Sequence, residues 1–542
     1  MGAITTEECH VLVIGSGGAG IRAALEAARY GETILVGKSV AGKGGCTVMA
    51  EGGYNAVLRE TDTISSHLND TLKGGAFLND RALAEVLVNE APNRIDDLLR
   101  FGAVFDAEDS CTIAQRPFGG QAFARTCYAG DRTGHEIVMT LLERLRASDI
   151  RLRNEITALE LATDQGRVCG AFTATRDGDI GAIAADAVVL ATGGCGQIYD
   201  ITTNSTTGTG DGYALGYRAG AELIDMEMVQ FHPTGAVHPY DARGRLITEA
   251  VRGEGGILKN SEGERFMARY DPERMELSTR DVVARSIATE VLEGRGTPRG
   301  GVWLDVTHLS SQQIEERLPL MLEQFLKFGV DIRTEPMEVA PTAHHMMGGL
   351  RITPECRTTV PGLFACGEVA GGVHGANRLG GNALAETQVF GRRAGEAAGK
   401  EKTGRRRIDP EQAARLEEQL ASFEQGDTRP SDLAGRLKRV MWDGAGIYRD
   451  AARLTETREA VLAMSSITPS ASSGAGIMDA WTIRNMLLVA GMILDGALLR
   501  QESRGAHVRV DCAARWDPVD SPYGHTRIAQ ACRCIEVTGR IA

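Results

Sequence analysis

The chain is 542 residues long, 43% hydrophobic and 24% charged, with a formal net charge of −13. That length suggests roughly two to four domains of ~100–200 residues, and an acidic chain without a basic face is excluded as a nucleic-acid binder, which must neutralise phosphates. Eleven cysteines are scattered without a disulfide-like framework, and no charged-then-apolar leader precedes the first strand, so they read as free thiols of a cytoplasmic protein.

Residues 10–14 are a short apolar run of the kind buried on both faces of a parallel sheet. The turn Gly15-Ser16-Gly17-Gly18-Ala19-Gly20 follows, then an alanine-rich helical pattern over 21–30 and a second strand over 32–36. Placed between strand and helix, this turn predicts dinucleotide binding. The first glycine permits the tight bend, the second lets backbone approach a pyrophosphate, the third allows close helix–strand packing, and the helix N-terminus attracts the anion. The acidic residue that often ends the second strand and holds a ribose is missing; Gly37 and Lys38 stand there, which argues against a plain NAD site.

Residues 40–56 are glycine-rich and loop-like. Within Gly45-Cys46-Thr47-Val48-Met49-Ala50-Glu51-Gly52-Gly53, small side chains let backbone amides face a planar ring, and such donors stabilise a reduced, anionic flavin. Residues 80–105 and 131–147 read as amphipathic helices, 168–175 as a β-ribbon arm, and 187–192 as a buried strand ending in Gly193-Gly194. A strand-like stretch, 362–366, ends in Gly367-Glu368; a helix follows over 381–400, mostly helical sequence over 411–500, and an irregular tail over 501–542. Three glycine-rich strand ends predict a large cofactor lying across one crevice, where the ends of an open parallel sheet converge. The apolar stretch 486–499 carries Asp495 and falls short of the ~20 residues a membrane span needs, so no span is expected.

Between these elements lie charged groups suited to a dicarboxylate. His232 sits in Gln230-Phe231-His232-Pro233-Thr234-Gly235, and Thr248, Glu249 and Arg252 in Leu246-Ile247-Thr248-Glu249-Ala250-Val251-Arg252-Gly253. Arg280 lies in Ser278-Thr279-Arg280-Asp281, His344 and His345 precede Met346-Met347-Gly348-Gly349, and Arg378 lies in His374-Gly375-Ala376-Asn377-Arg378-Leu379-Gly380-Gly381-Asn382. Guanidinium groups take carboxylates at two points, and imidazoles add directional donors. No His-x-x-x-His pair with glutamate of the zinc-protease kind occurs, so no metal is expected.

In their order along residues 8 to 512, these strings resemble the flavoprotein subunits of fumarate reductase and succinate dehydrogenase. Further matches are Gln115-Arg116-Pro117-Phe118-Gly119-Gly120, Asp131-Arg132-Thr133-Gly134-His135, Thr209-Gly210-Asp211-Gly212, Met441-Trp442-Asp443 and Glu502-Ser503-Arg504-Gly505-Ala506-His507. The resemblance implies an α/β fold: a Rossmann-like FAD-binding domain (1–228 and 344–404) interrupted by an α+β capping domain (229–343), then a C-terminal helical domain (411–510) and a tail (511–542). It implies that Glu368 and Asp211 hold FAD hydroxyls and that Asn382, Ala383 and Leu384 lie along the isoalloxazine. His232, Thr248, His344 and Arg378 would grip the carboxylates of fumarate or succinate. Arg280 would be the general acid, supplied with protons through Glu249 and Arg252, as hydride passes from flavin N5.

Cys46 stands where many family members carry a histidine bonded covalently to FAD, so non-covalent FAD is expected. The string from Thr47 to Asn55 is similar to that of the archaeal thiol-dependent branch, which takes electrons from coenzyme M and coenzyme B and keeps its iron–sulfur chemistry on a second subunit. This chain has no haem or ferredoxin cysteine motif of its own, so an iron–sulfur partner is expected. L-aspartate oxidase is the enzyme alternative; its amine-sensing loop has a glutamate ahead of a Gly-Gly-His-type string, where this chain has Gln115 to Gly120. A non-catalytic FAD-binding subunit is the other; such a protein should lose Arg280 or its relay.

Overall fold

The computed structural model describes residues 5–110, 112–404, 406–472, 474–512 and 521–537. Its main sheet has seven strands. Thr5–Ile14 lies between Thr33–Gly37 and Ile180–Leu190, parallel to both, which is why its second half is a continuous apolar run with no exposed face. Ile180–Leu190 changes partner along its length: residues 180–184 pair antiparallel with Arg167–Thr175, and residues 188–190 pair parallel with Leu363–Ala365. The expected ribbon arm is therefore an extension of this sheet, because Arg167–Thr175 bonds to Ile156–Asp164 on one side and to the central strand on the other. Helices Gly18–Ala27 and Asn382–Gly399 pack on each other over the sheet.

A second, antiparallel sheet of four strands comprises Val229–Ala236, Met337–Met346, Val302–Asp305 and Ile257–Lys259, and helix Arg280–Leu292 packs on it. This sheet has its own apolar core, with Ile247, Leu258, Ile287, Leu304 and Val339 all fully buried. Burying each such side chain contributes about 1.5–3 kcal/mol, enough for this region to hold its shape around the groups it presents.

Two expectations need correction. The apolar stretch at 486–499 is the end of a 26-residue helix, Gly474–Leu499, that is long and apolar enough to cross a membrane. Two-thirds of its apolar window (67%) is buried against the rest of the chain, the pattern of a core helix. The tail, expected to be irregular, forms a hairpin, Tyr523–Ile528 with Arg533–Val537, that pairs with Leu223–Ile224 and so joins the chain's end to its middle. Its residues 513–520 and 538–542 lie outside the described ones.

Candidate active site

The turns after three strands, Thr5–Ile14, Ile180–Leu190 and Leu363–Ala365, open on one cavity of about 860 Å³. Gly15 has φ +116°, and a Cβ there would sit 2.2 Å from the Ala191 carbonyl oxygen, so only glycine permits this turn. Helix Gly18–Ala27 starts here with no side-chain cap, which leaves N–H groups and the positive end of its dipole for an anion. The Thr192 hydroxyl nearby is buried without a partner. Gly15 to Ala19, Gly45 to Thr47, Ala50, Gly52 and Gly53 all line this half of the cavity. An elongated wall of backbone and small side chains, ending at a helix N-terminus, fits FAD.

Lys38 and Asp211, both expected at the cofactor, also line the cavity but are bonded to each other: Lys38 Nζ donates to Asp211 Oδ2 (2.9 Å), Thr209 Oγ1 (3.2 Å) and Thr482 Oγ1 (3.0 Å). Asn485 Nδ2 donates to the other Asp211 oxygen at 2.8 Å. Burial opposes the Asp211 charge, but the Lys38 ammonium and these donors hold its carboxyl below the usual range. Thr482 and Asn485 belong to helix Gly474–Leu499, and no local signal marks them. Cys46 lies between Gly45, whose N–H donates to Ser205 Oγ (3.1 Å), and the Glu368 side; burial, then Glu368, push its thiol up to about 12.

His232, Thr248, Glu249, Arg280, His344 and Arg378 line the rest of the cavity. Strands Val229–Ala236 and Met337–Met346 pair antiparallel and set the His232 and His344 rings 5.0 Å apart. Thr234 N–H donates to His232 Nδ1 at 3.2 Å, so the proton of this imidazole sits on Nε2. Burial first, then the surrounding Arg280, Arg252 and Arg378, hold His232 well below the usual imidazole range; burial, His232 and Arg280 do the same to His344. Both rings are thereby held neutral, and His344 Nδ1 is paired with Thr203 Oγ1 at 2.7 Å.

Arg280 opens helix Arg280–Leu292, and its Nε donates to Glu249 Oε2 at 2.9 Å. Gly119 N–H donates to Glu249 Oε1 at 2.7 Å, and Arg252 Nη2 lies 3.9 Å from Oε2. Burial resists the Glu249 charge, but Arg280 and Arg252 hold its carboxyl below the usual range. Arg378 Nη2 donates to the amide oxygen of Gln230 at 3.0 Å, and burial, then Arg280, lower the Arg378 guanidinium to about 9. Arg280 Nη1, Arg252 Nε and Nη2, and Arg378 Nε are buried without hydrogen-bond partners. Arg280 and Arg252 thus share the Glu249 carboxylate, Arg378 lies in the field of Glu368, Glu249 and Glu386, and these four spare donors make no hydrogen bond to the protein.

Three of the sequence candidates are not on the cavity wall. Gly20 packs against Gly15, where a Cβ would be 1.7 Å from the carbonyl oxygen. Arg252 stands behind Glu249 and donates to the Glu276 carbonyl at 2.5 Å. Asn382 is turned inward, accepting from Asn55 (2.7 Å) and donating to Thr71 Oγ1 (3.0 Å), so the neighbouring Ala383 and Leu384 face the cavity in its place. Sequence reasoning also passed over Gln230, which orients Arg378, and Glu51, whose carboxyl burial and then Asp131 push up to about 8. Both sit beside motif residues in the chain, but their roles depend on partners remote in sequence.

Comparison with known proteins gives the same picture. The FAD binding domain family matches residues 10–384, and the fumarate reductase flavoprotein C-terminal family matches residues 434–528. The chain is 50% identical over 517 residues to one of the subunits of fumarate reductase (CoM/CoB) from Methanothermobacter marburgensis, covering 93% of this chain and 94% of the relative. It is 39% identical over 529 residues to an L-aspartate oxidase of Streptomyces coelicolor, covering 94% and 89%. Among solved structures, a mutant FrdA chain of E. coli quinol fumarate reductase superposes with a TM-score of 0.93 at 34% identity, covering 99% of this chain and 98% of that one. The glycine turns, the cofactor-sized cavity and these matches agree: the chain is an FAD-dependent oxidoreductase belonging to the fumarate reductase and succinate dehydrogenase flavoprotein family.

Proposed function

We propose that this chain reduces fumarate to succinate, or runs the reverse reaction, with Arg280 as the proton donor. The observation that carries the reading is the set of unmet donors at this end of the cavity: Arg280 Nη1 and Arg378 Nε are buried without partners, and Arg280 and Arg252 share the one carboxylate of Glu249. Unpaired buried cations are costly, and a small dianion would neutralise them. Arg378, with Nε–H groups from His232 and His344 and the Thr248 hydroxyl, would hold its two carboxylates. FAD, when bound, supplies the hydride.

Arg280 would place a proton on the other alkene carbon and recover it through Glu249, already 2.9 Å from its Nε, and Arg252 behind. Arginine rarely gives up a proton, its pKa exceeding ~12. Here the donor is crowded by a second guanidinium and anchored by a carboxylate, and the transfer is concerted with charge developing on the substrate. Positioned acid catalysis of this kind is worth about 10²–10⁴-fold.

The high Cys46 thiol supports FAD held without a covalent bond, since the thiolate is the reactive form. Acid precipitation should leave the yellow colour in the supernatant. The methanogen relative is one component of a multi-subunit enzyme designated CoM/CoB, which supports a partner chain carrying iron–sulfur centres and thiols as the ultimate electron source. The ten described cysteines are unpaired thiols, as expected of a cytoplasmic protein.

The deciding assay is fumarate-dependent oxidation of reduced viologen by the purified holoprotein, repeated with Arg280→Ala. The variant should lose turnover by about 10²–10⁴-fold while retaining FAD; undiminished turnover refutes the assignment. The identity to L-aspartate oxidase keeps that activity as the second reading. Oxidation of aspartate by oxygen, with no fumarate reduction, would select it.

A further inference from the structure

Behind the cofactor half of the cavity lies a group of side chains that the reaction above does not use. His374 Nε2 is 3.0 Å from Glu386 Oε2, and the His374 and His345 rings stand edge-to-face with centroids 5.4 Å apart. His345 Nδ1 is 3.6 Å from Glu368 Oε1, which also accepts from the Met346 N–H at 2.9 Å. His345, His374 and Glu386 are all nine-tenths or more buried, and His345 Nε2, His374 Nδ1 and Glu386 Oε1 have no hydrogen-bond partner. Glu368 ends the third strand of the crevice and faces the cavity, as do His345 and Glu386. Two carboxylates and two imidazoles therefore form one polar seam, with His345, Glu368 and Glu386 on the cavity wall and His374 behind it.

We propose that Glu368, His345, His374 and Glu386 form a single buried proton-sharing cluster that takes up one proton, on Glu368, when the bound FAD is reduced. Reduction adds two electrons and one proton to the flavin ring, leaving it one negative charge richer. A negative charge brought near a desolvated carboxylate raises its proton affinity, so the Glu368 carboxylate (COO⁻) becomes COOH, and the balance becomes two protons for two electrons. The unpartnered ring nitrogens of His345 and His374 are suitably placed to relay that proton through one bridging water.

The electrostatics around the seam agree with this. Burial first, opposed by the Met346 amide and Arg378 and reinforced by Glu386, pushes the Glu368 carboxyl up to about 7. Burial, then Arg378, His374, His344 and Arg280, hold His345 well below the imidazole range, so it starts neutral. The other groups facing Glu368 are the Cys46 and Cys195 thiols and the Tyr213 phenol, all pushed upward by burial and therefore still protonated at neutral pH. Burial thus leaves the Glu368 carboxyl close to changing charge at neutral pH. The same three side chains, His345, His374 and Glu386, also bring ligand-type atoms within 4.8 Å of one another, so a bound cation is the competing explanation of the seam.

The inference rests on FAD binding and not on the fumarate reading, because its test contains no fumarate. The midpoint potential of FAD in the holoprotein is measured by spectroelectrochemical titration across neutral pH. Each proton taken up by a two-electron couple contributes about 29.6 mV per pH unit. The slope should correspond to one proton below about pH 7, where Glu368 is already protonated, and to two protons from there up to the higher pH at which Glu368 ionises even beside the reduced flavin. Glu386→Gln, which removes a neighbouring negative charge, should move the break to lower pH. Glu368→Gln should abolish the break; if that variant fails to hold FAD, Glu386→Gln alone decides. A one-proton slope throughout in the unaltered protein, a break that Glu386→Gln leaves in place, or one equivalent of a transition metal in the purified protein by mass spectrometry would each overturn the proposal.

Discussion

Arg500 is completely buried, and each of its nitrogens has an oxygen to donate to: Nε to Glu227 (2.6 Å), Nη1 to Glu502 (2.7 Å), and Nη2 to Asp225 (3.2 Å) and the Gly524 carbonyl (2.9 Å). Arg378 is buried too, yet it has one amide oxygen for Nη2 and an Nε with no partner, and the Arg280 guanidinium acts against its charge. Burial disfavours the charge on both. Around Arg500, three carboxylates overcome it and raise the guanidinium above its ordinary value; around Arg378, Glu368, Glu249 and Glu386 do not outweigh burial and Arg280, and the value falls to about 9. The first cluster is saturated and ties helix Gly474–Leu499 to the C-terminal hairpin. The second leaves buried donors unmet, and on the reading proposed above they are met by a dianion from outside. A buried network that satisfies every donor stabilises a fold, while unmet buried donors cost free energy until something pairs them.

The sharpest way to break this contrast is to remove each arginine in turn. Arg500→Met should cost about 3–5 kcal/mol of stability, because three buried carboxylates lose their cation. Urea unfolding reads this directly, and an unchanged midpoint would show that the network is architectural in appearance only. Arg378→Met should do the reverse. Removing an unpaired buried charge should leave the urea midpoint unchanged or raised, while kcat/KM for fumarate falls by the equivalent of about 2–5 kcal/mol. If both variants lose stability alike, the distinction between the clusters fails.

A non-reacting dianion sharpens the same point from the ligand side. Malonate at about 100 times its Kd should stabilise the holoprotein by about 2.7 kcal/mol, seen as a rise in Tm, and Arg378→Met should erase that rise while Arg500→Met keeps it. The smallest effect is expected from pH. His525 Nδ1 lies 2.5 Å from Asp225 Oδ2; burial opposes the imidazolium, but Asp225 outweighs it and raises the group above 6.5. A raised folded-state value means that this contribution is fully present below pH 6.5 and is lost as pH rises through the raised value. His525→Gln should flatten that part of the stability profile; an unaltered profile would remove His525 from the cluster.

Much of the cofactor half was legible in the sequence, because its signals are local. The Gly15–Gly20 turn, the strand before it and the helix after it are adjacent in the chain, and a glycine needed at φ +116° is visible as a glycine. The charged residues of the catalytic end were legible only as separate strings; nothing in the spacing of His232, Arg280, His344 and Arg378 states that they meet. The partners of Lys38 were illegible, since Thr482 lies more than four hundred residues away and is an ordinary helix residue until the fold brings it in. The hairpin at 523–537 was missed for a related reason: its short strands have no buried apolar run of their own and are held by pairing with Leu223–Ile224 and by the Arg500 cluster.

The sequence by itself determined the element types ahead of the tail and the kind of cofactor. Backbone conformation, periodicity and glycine placement act over a few residues, and so do the residue types suited to a pyrophosphate or a carboxylate. Only the tertiary structure decided which charges are paired. Coulomb energy and desolvation depend on distance and burial, not on position along the chain, so the same residue type became an anchor at Arg500 and an open donor at Arg378.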